Sequence, residues 1–310
     1  MRSLLEDFES FIDLDYCVNG KPLGDSITRL LDDVQSEIKP VWGISGIASE
    51  ISTMQKECMH FFYRPHLYPE MDKKLELAHK LQYHLLPTSC PQIAPVHLST
   101  VLESYCQLSG DLLGWRFCAD DSFLFWILDI SGHGLKAGLL CAVLKTIIDQ
   151  IETDGGVEDF VYRLNALFMD ALTMKDELFY ATGVFINVKN DGSAEHISAA
   201  HPQVFLRKRG EGIRELASTG IPIGLYEKRT FDAAPLSIRN GDMFLLYTDG
   251  VTEAENQKNE LFGYDRVKKI LTYAYEYPEE VTTALYKSLS KFQAMEYLSD
   301  DVTFLAAKVK

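Results

Sequence analysis

The run FLFWILDISGHG spans residues 123–134 and carries the strongest structural signal in the chain. Its first six residues are apolar, which is typical of a strand buried on both faces. Asp129 closes this strand, and the glycines that follow indicate a turn into an apolar helix predicted over residues 135–151. The segment ADD at 119–121 predicts a hairpin with residues 115–118. Hairpins pair antiparallel strands, so we expect an antiparallel sheet here.

Two further hairpins are predicted downstream. Their turns are KNDG at 189–192 and GEG at 210–212. The flanking strands are predicted at residues 179–188, 194–199, 204–207 and 213–216. An amphipathic helix over 157–172, a helical region over 264–292 and a final strand over 302–309 complete the pattern. Antiparallel strands with helices in separate blocks predict an α+β domain of two packed sheets covered by helices.

The first seventy residues differ in texture, with helical periods over residues 25–38 and 47–62. A short amphipathic helix is predicted over residues 71–86, where Pro87 closes it. We therefore divide the chain into a mostly helical region at 1–70, a connecting helix at 71–90 and a β-rich domain at 91–310.

The connecting helix carries an apolar stripe that fits two arrangements. The stripe consists of Met71, Leu75, Ala78, Leu81 and Leu85. It could form a homodimer seam, or it could pack on its own domain, since it is shorter than the three heptads typical of a coiled coil.

Composition excludes several classes of function. The chain has 310 residues, of which 46% are apolar and 24% charged, an ordinary globular mixture. Its net charge of −15 argues against nucleic acid or an anionic membrane as a partner. No apolar run approaches the ~18 residues of a membrane-spanning helix, so we expect a cytoplasmic protein. The sequence has no C-x-x-C or H-E-x-x-H pattern, which argues against a zinc site.

Acidic residues stand beside the predicted strands. They are Asp111, Asp129, Asp249, Asp300 and Asp301. A carboxylate at the rim of an apolar sheet is costly to bury unless something compensates it. A single one is an ordinary turn residue, whereas four at converging edges predict a shared divalent cation. Carboxylates without a Cys or His cluster favour Mg²⁺ or Mn²⁺, and two ions would balance four acids and activate a water molecule. From spacing alone, turn capping remains an alternative.

The glycines after Asp129 admit a rival interpretation. The segment GHGLKA at 132–137 fits the dinucleotide pattern G-x-G-x-x-A. Asp129 would repel a pyrophosphate there, no strand follows the helix, and the hairpins contradict an open parallel sheet. We therefore discount a nicotinamide cofactor.

The glycine turn and one later histidine are candidates for a role at the site. Gly132 and His133 are predicted to face the substrate, where His133 would contact a phosphate or donate a proton. Shaping the glycine turn is an equally good explanation for His133. His201 is expected to hydrogen-bond within its own loop.

Eight short motifs occur in one fixed order between residues 75 and 310. They are LLP at 85–87, SGD at 109–111, DISGHG at 129–134, AAHP at 199–202, GL at 224–225, LYTDGVTEA at 246–254, FG at 262–263 and DDVT at 300–303. As an ordered set they resemble the bacterial type-2C metal-dependent (PPM) serine/threonine protein phosphatases, in the branch related to SpoIIE and RsbU.

The resemblance implies an αββα sandwich with two Mn²⁺ or Mg²⁺ ions at one end of its sheets. Carried over by position, Asp129 would bridge both ions, while Asp249 and Asp300 would hold one of them. The main-chain carbonyl of Ile130 would serve the other ion, which Asp111 would reach directly or through water. Asp301 is less expected to be a ligand. In that family the nucleophile is the water between the ions.

One motif departs from the family. Many relatives carry G-G-D-[YF]-[YF]-D where this chain has SGDLLG at 109–114, so Gly114 replaces a second acid. The departure puts any additional metal in doubt, but the four core acids remain and we expect activity.

The resemblance implies hydrolysis of phosphoserine or phosphothreonine on a regulatory protein, an anti-sigma-factor antagonist in a partner-switching pathway. Residues 1–70 would then be a regulatory or partner-binding region, and a homodimer could form through that region or the connecting helix. Two alternatives are a non-catalytic module that binds a phosphoprotein and an esterase for small phosphate compounds.

Overall fold

The first unit of the chain contributes little to the described structure. The computed structural model describes residues 17–18, 21–22, 69–87, 89, 94–106, 108–132, 134–152, 155–172, 178–227, 231–293 and 300–310. The chain divides into two compact units, residues 1–70 and 71–310. Before residue 69 the described residues form an antiparallel pair, β1 (Cys17–Val18) and β2 (Lys21–Pro22). The helices predicted at 25–38 and 47–62 lie outside the described residues.

One five-stranded sheet grows around the apolar run at residues 123–130. Its strands are β4 (Asp111–Phe117), β5 (Phe123–Ile130), β6 (Ala181–Val188), β7 (Ser193–Ala199) and β10 (Ala234–Ser237). They lie in the order β10-β7-β6-β5-β4, and every neighbouring pair is antiparallel. The predicted hairpins β4–β5 and β6–β7 are therefore confirmed.

The second sheet also has five antiparallel strands. They are β3 (Val96–Glu103), β8 (Val204–Lys208), β9 (Gly212–Leu216), β11 (Met243–Tyr247) and β12 (Val302–Val309). Their order is β3-β12-β11-β8-β9. The third hairpin, β8–β9, and the final strand are confirmed.

Six helices are described between residues 69 and 293. They are α1 (Pro69–Leu85), α2 (Gly134–Gln150), α3 (Gly156–Leu172), α4 (Asp249–Thr252), α5 (Gly263–Leu271) and α6 (Pro278–Gln293).

Side chains that alternate along the central strands connect the layers of the fold. In β5, Leu124 and Trp126 pack with α2 and α3, while Phe123 and Phe125 pack against the other sheet. In β11 the same alternation sends Leu245 towards α5 and α6. Successive side chains of a strand point to opposite faces, so each strand serves two apolar layers. The result is the predicted αββα sandwich.

The helical region predicted over 264–292 is confirmed, but it consists of two helices. A bend at 272–277 leads into Pro278, whose fixed φ suits the first turn of a new helix. Asp111 is the first residue of β4, and the preceding strand β3 ends at Glu103. The apolar helix α2 leaves Leu135 and Leu139 exposed.

The stripe of the connecting helix does not pack fully on its own domain, and the homodimer seam stays a prediction. Leu81 and Leu85 are exposed, and among the described side chains of this helix Gln82 is the buried one. Within the described residues, no helix is long and apolar enough to cross a membrane.

Candidate metal centre

Asp111 and Asp129 lie directly opposite each other at the end of the first sheet. Asp111 is the first residue of β4, and the antiparallel register pairs it with Asp129 of β5. Asp111 is buried, with 3% of its surface exposed, while Asp129 is partly exposed. Ile130, whose main-chain carbonyl is a predicted ligand, follows at the end of the same strand and donates its N–H to the carbonyl of Gly110 at 3.3 Å.

Asp249 and Asp300 lie at one end of the second sheet. Strand β11 ends at Tyr247 and Asp249 begins the short helix α4, while Asp300 stands just before β12. Because β11 and β12 are antiparallel neighbours, the end of one meets the start of the other. The approach is close at Gly250, where a Cβ would lie 1.9 Å from the carbonyl oxygen of Asp301. Only glycine fits there.

A hydrogen bond joins the two acidic ends across the sandwich. The hydroxyl of Thr248 donates to Oδ2 of Asp111 at 2.9 Å, and its main-chain N–H donates to the carbonyl of Thr303 at 2.9 Å. Thr248 thus ties the first acid of β4 to the strand ends of the other sheet. The structure brings the predicted acids of both sheets together at one end of the sandwich.

The acids at this end perturb one another electrostatically. Burial, together with the nearby charges of Asp249 and Asp300, raises the pKa of Asp129 to about 7. The pKa of Asp111 is raised well above its ordinary value by burial and then by Asp129. Burial and Asp300 also raise the pKa of Asp249. Carboxylates with raised pKa values lack compensation for their charge.

The donor set fits a hard divalent cation. Among the described residues, no ion pair involves Asp111, Asp129 or Asp249. Carboxylate and carbonyl oxygens are the ligands that Mg²⁺ and Mn²⁺ prefer, and a bound cation would reverse the direction of these pKa shifts. In the part of the chain that the structure describes, no three His, Cys, Asp or Glu side chains already form a complete metal-holding group. The assignment of ligands therefore stays a prediction.

Asp301 differs from its neighbour Asp300. Its Oδ1 accepts the N–H of Tyr105 at 2.7 Å, and its Oδ2 accepts the N–H of Gly110 at 2.7 Å. Both oxygens thus hold the loop that precedes Asp111. This arrangement supports the expectation that Asp301 is not a primary ligand.

His201 bridges the two sheets beside the acids. Its Nδ1 lies 3.0 Å from the hydroxyl of Thr182 in β6, and its Nε2 lies 3.0 Å from the carbonyl of Tyr247 in β11. Burial lowers the pKa of His201 to about 3, so the ring is neutral. A carbonyl only accepts, so Nε2 carries the proton and the threonine hydroxyl donates to Nδ1. The expectation of a bond within its own loop was wrong.

The glycine turn is only partly described. Gly132 is exposed with φ of +96° and Gly134 has φ of +74°, a region that favours glycine. His133 lies outside the described residues. The assignment of Gly132 and His133 to the substrate stays a prediction.

Glu253 is a further acid at this end that the sequence argument assigned no role. It lies just beyond α4, is exposed, and has a pKa raised by partial burial and then by Asp249 and Asp300. Its charge in turn contributes to the raised pKa of Asp129. The signal for it was present, because it belongs to the motif LYTDGVTEA at 246–254.

Trp126 explains the missing acid at Gly114. The two residues are paired across β4 and β5, and a Cβ at position 114 would lie 2.4 Å from Cζ2 of Trp126. The indole therefore takes the place of a side chain at 114. A second acid at this edge is sterically excluded while Trp126 is present.

Two antiparallel five-stranded sheets between helix layers, with acids at one end, form a domain of the PP2C-type fold. The family model described as stage II sporulation protein E (SpoIIE) matches residues 119–310. The chain belongs to the SpoIIE family.

Three similar proteins place the chain within this group. It is 26% identical to Phosphoserine phosphatase RsbU of Bacillus subtilis over 245 residues, covering 78% of this chain and 71% of RsbU. It is 26% identical to Protein IcfG of Synechocystis over 261 residues, covering 75% of this chain but only 41% of IcfG. The SiaA PP2C domain of Pseudomonas aeruginosa shares the fold, with a TM-score of 0.69 at 19% identity, and the match covers 80% of this chain and all of that domain.

Proposed function

We propose that this protein-serine/threonine phosphatase removes phosphate from phosphoserine or phosphothreonine of a regulatory protein with the help of two Mn²⁺ or Mg²⁺ ions. Family membership and the likeness to RsbU, a phosphoserine phosphatase, support the class of reaction. The observation that carries the proposal is that four acids meet at one end of the sandwich, namely Asp111, Asp129, Asp249 and Asp300. The pKa values of the first three are raised, and the charge of Asp300 contributes to the raised pKa values of Asp129 and Asp249.

The residues have separable roles in this proposal. Asp129 would bridge the two cations, Asp249 and Asp300 would hold one, and Asp111 with the carbonyl of Ile130 would serve the other. Such a pair of ions lowers the pKa of a shared water and polarises a phosphoryl oxygen. The chain itself contributes orientation, because Thr248 fixes Asp111.

The substrate is proposed to be a phosphorylated protein of the anti-sigma-factor antagonist type in a partner-switching pathway. The likeness to RsbU supports this class. The net charge of −15 agrees with a substrate recognised through local contacts rather than through a basic surface.

A regulatory or partner-binding role is proposed for residues 1–70, acting through α1. The separation of the chain into units 1–70 and 71–310 supports this division. Comparing the full chain with residues 71–310 tests the role, and equal activity with an equal oligomeric state would contradict it.

The catalytic proposal is tested with the full chain and Mn²⁺. Three substrates are compared: a phosphorylated antagonist protein, a phosphoserine peptide and a small phosphate ester. Release of phosphate from the protein in wild type, and none from Asp129→Asn, is the expected result. Metal uptake without turnover of any substrate would favour a non-catalytic binding module, and preference for the small ester would favour an esterase.

A further inference from the structure

Gln82 is a buried polar residue on an otherwise exposed stretch of the connecting helix. Only 8% of its surface is exposed, whereas Leu81 and Tyr83 on either side are 61% and 58% exposed. An amide is costly to bury unless its donor and acceptor atoms both find partners. The contacts of Gln82 therefore explain why this side chain, and not a leucine, faces the domain.

Both ends of the Gln82 amide are paired with the main chain of one residue. Its Nε2 donates to the carbonyl of Ser109 at 2.7 Å, and the N–H of Ser109 donates to its Oε1 at 3.0 Å. A two-point contact of this kind fixes the peptide groups on both sides of Ser109. The contact joins α1 to a segment 27 residues further along the chain.

Ser109 begins the short segment that ends at Asp111, and every main-chain link in that segment is fixed. The N–H of Gly110 donates to Asp301 at 2.7 Å, and its carbonyl accepts the N–H of Ile130 at 3.3 Å. The N–H of Asp111 donates to Oγ of Ser109 at 3.0 Å. A rotation of the Ser109 peptides would therefore be carried into the main chain of Asp111.

The segment is also tightly enclosed. A Cβ at Gly110 would lie 3.1 Å from Cβ of Ala137 and 3.2 Å from the carbonyl oxygen of Ile130. On the side of the connecting helix, a cavity of about 10 Å³ lies between Gln82, Ser109 and Asp111, which is room for about one water molecule. The segment has one tightly defined path, and Gln82 closes it from the side of α1.

We propose that Gln82 is a positioning residue of the metal centre, which sets the direction of the Asp111 carboxylate through the main chain of Ser109. The inference rests on the proposed function and adds to it a residue from the connecting helix. Mg²⁺ and Mn²⁺ favour nearly ideal octahedral geometry, so a small rotation of one carboxylate weakens binding. Residues that orient metal ligands are worth about 10- to 100-fold in metal affinity or activity.

The experiment uses the full chain with Mn²⁺ as the probe. Gln82→Met keeps the length and helix propensity of the side chain but removes both hydrogen bonds. Calorimetry gives the Mn²⁺ affinity, and phosphatase assays give the Mn²⁺ concentration for half-maximal rate. We expect the affinity to fall about tenfold and the half-maximal concentration to rise equally, with the rate restored at saturating Mn²⁺.

Two control variants separate positioning from stability. Lys80→Gln disrupts an exposed ion pair with Glu76 on the same helix and should leave Mn²⁺ affinity unchanged. Asp242→Asn removes a buried ion-pair partner at the far end of β11, so it should lower the melting temperature without changing Mn²⁺ affinity. A fall in affinity in Asp242→Asn equal to that in Gln82→Met would overturn the proposal, since stability alone would then explain it.

Gln82→Glu carries the test if Gln82→Met does not fold. It retains an acceptor for the Ser109 N–H but loses the donor to the Ser109 carbonyl. Its added negative charge alone would strengthen Mn²⁺ binding, whereas loss of positioning would weaken it. Weaker binding supports the proposal, and equal or tighter binding overturns it.

The outcome for wild type keeps the two proposals apart. Wild type that neither binds Mn²⁺ nor releases phosphate contradicts the proposed function and with it this inference. Wild type that does both, beside a folded Gln82→Met with wild-type Mn²⁺ affinity, leaves the function standing and removes the role of Gln82.

Discussion

Strand β11 has an aspartate beyond each end, and the charges of the two are compensated differently. Before the strand, Asp242 is fully buried and its carboxylate contacts the ammonium of Lys208. The same carboxylate accepts main-chain N–H groups of Arg209 at 2.8 Å and Arg239 at 3.0 Å. Its charge is balanced entirely by groups of the protein.

Beyond the other end, Asp249 meets further acids instead of cations. Its pKa and those of Asp111 and Asp129 are raised by burial and by neighbouring carboxylates. The difference teaches that a buried acid paired by the protein serves stability, while acids left to repel one another indicate a charge that comes from outside. Substitution of an acid at the Asp249 end should therefore change activity, whereas substitution of Asp242 should change stability.

The largest expected effect is on catalysis at the acidic end. Asp129→Asn should lower phosphatase activity by more than about 100-fold, beyond the range for residues that only orient ligands. Its fold should survive, because carboxylate repulsion is relieved. Steady-state assays at several Mn²⁺ concentrations check this, with circular dichroism for the fold. Activity near wild type would remove Asp129 from the centre.

At the opposite end the expected effect is on stability. Asp242→Asn leaves Lys208 without its buried partner and should lower the free energy of unfolding by about 3 kcal/mol. The activity of the folded fraction should remain, since Asp242 lies far along β11 from the acids. Urea denaturation and activity below the transition measure both. A loss of activity without a loss of stability would contradict the assignment of Asp242 to stability and of the opposite end to catalysis.

His201 stabilises the acidic end without any ion. Because it donates to Tyr247 and accepts from Thr182, His201→Ala should cost about 2 kcal/mol. The folded pKa of about 3 lies below the ordinary value of 6.5, so a neutral ring is favoured in the folded state. This contribution is present above pH 6.5 and is lost as the pH falls towards 3.

The measurement for His201 is the difference in unfolding free energy between wild type and variant at several pH values. The difference should be largest above pH 6.5 and shrink in acid. A difference that does not vary with pH would mean that the ring has the same pKa in the folded and unfolded states, so that burial does not lower it.

The smallest expected effect concerns the metal-free protein. The pKa of Asp129 is about 7 in the folded protein, against an ordinary value of 3.8. Its carboxylate therefore begins to destabilise the fold as the pH rises above 3.8, and the destabilisation is complete above pH 7. Asp129→Asn should therefore raise the melting temperature by about 3 °C at pH 8 and leave it unchanged near pH 4. Scanning fluorimetry in chelator checks this.

Asp242→Asn is the matched control for that measurement. It should lower the melting temperature at pH 8, because its acid is paired rather than repelled. A rise in melting temperature for both variants would show that loss of negative charge alone is responsible.

Features set by neighbouring residues could be predicted from the sequence. The strand at 302–309 and the three hairpins follow from alternation and turn residues, both local properties. The grouping of Asp129 with Asp249 followed from strand ends and motif order. The bend at 272–277 was missed because apolar periodicity continues on both sides of it.

Features set by distant contacts could not be predicted. Periodicity placed Leu81 and Leu85 on the apolar stripe of α1, but Gln82 is the residue buried against the domain because its partners lie at Ser109. A polar residue on a packed face gives no hydrophobic signal. Likewise, spacing alone does not separate Asp300 from Asp301; the family resemblance favoured Asp300, and the loop that Asp301 holds gives the physical reason.

The contact between Gly114 and Trp126 constrains how this chain can evolve. An acid at 114, as many relatives have, would collide with the indole. A smaller residue at 126 would open a void beside Gly114 unless position 114 also grew. Each single step is thus disfavoured while the double change is open, so the two positions should vary together among descendants of this sequence.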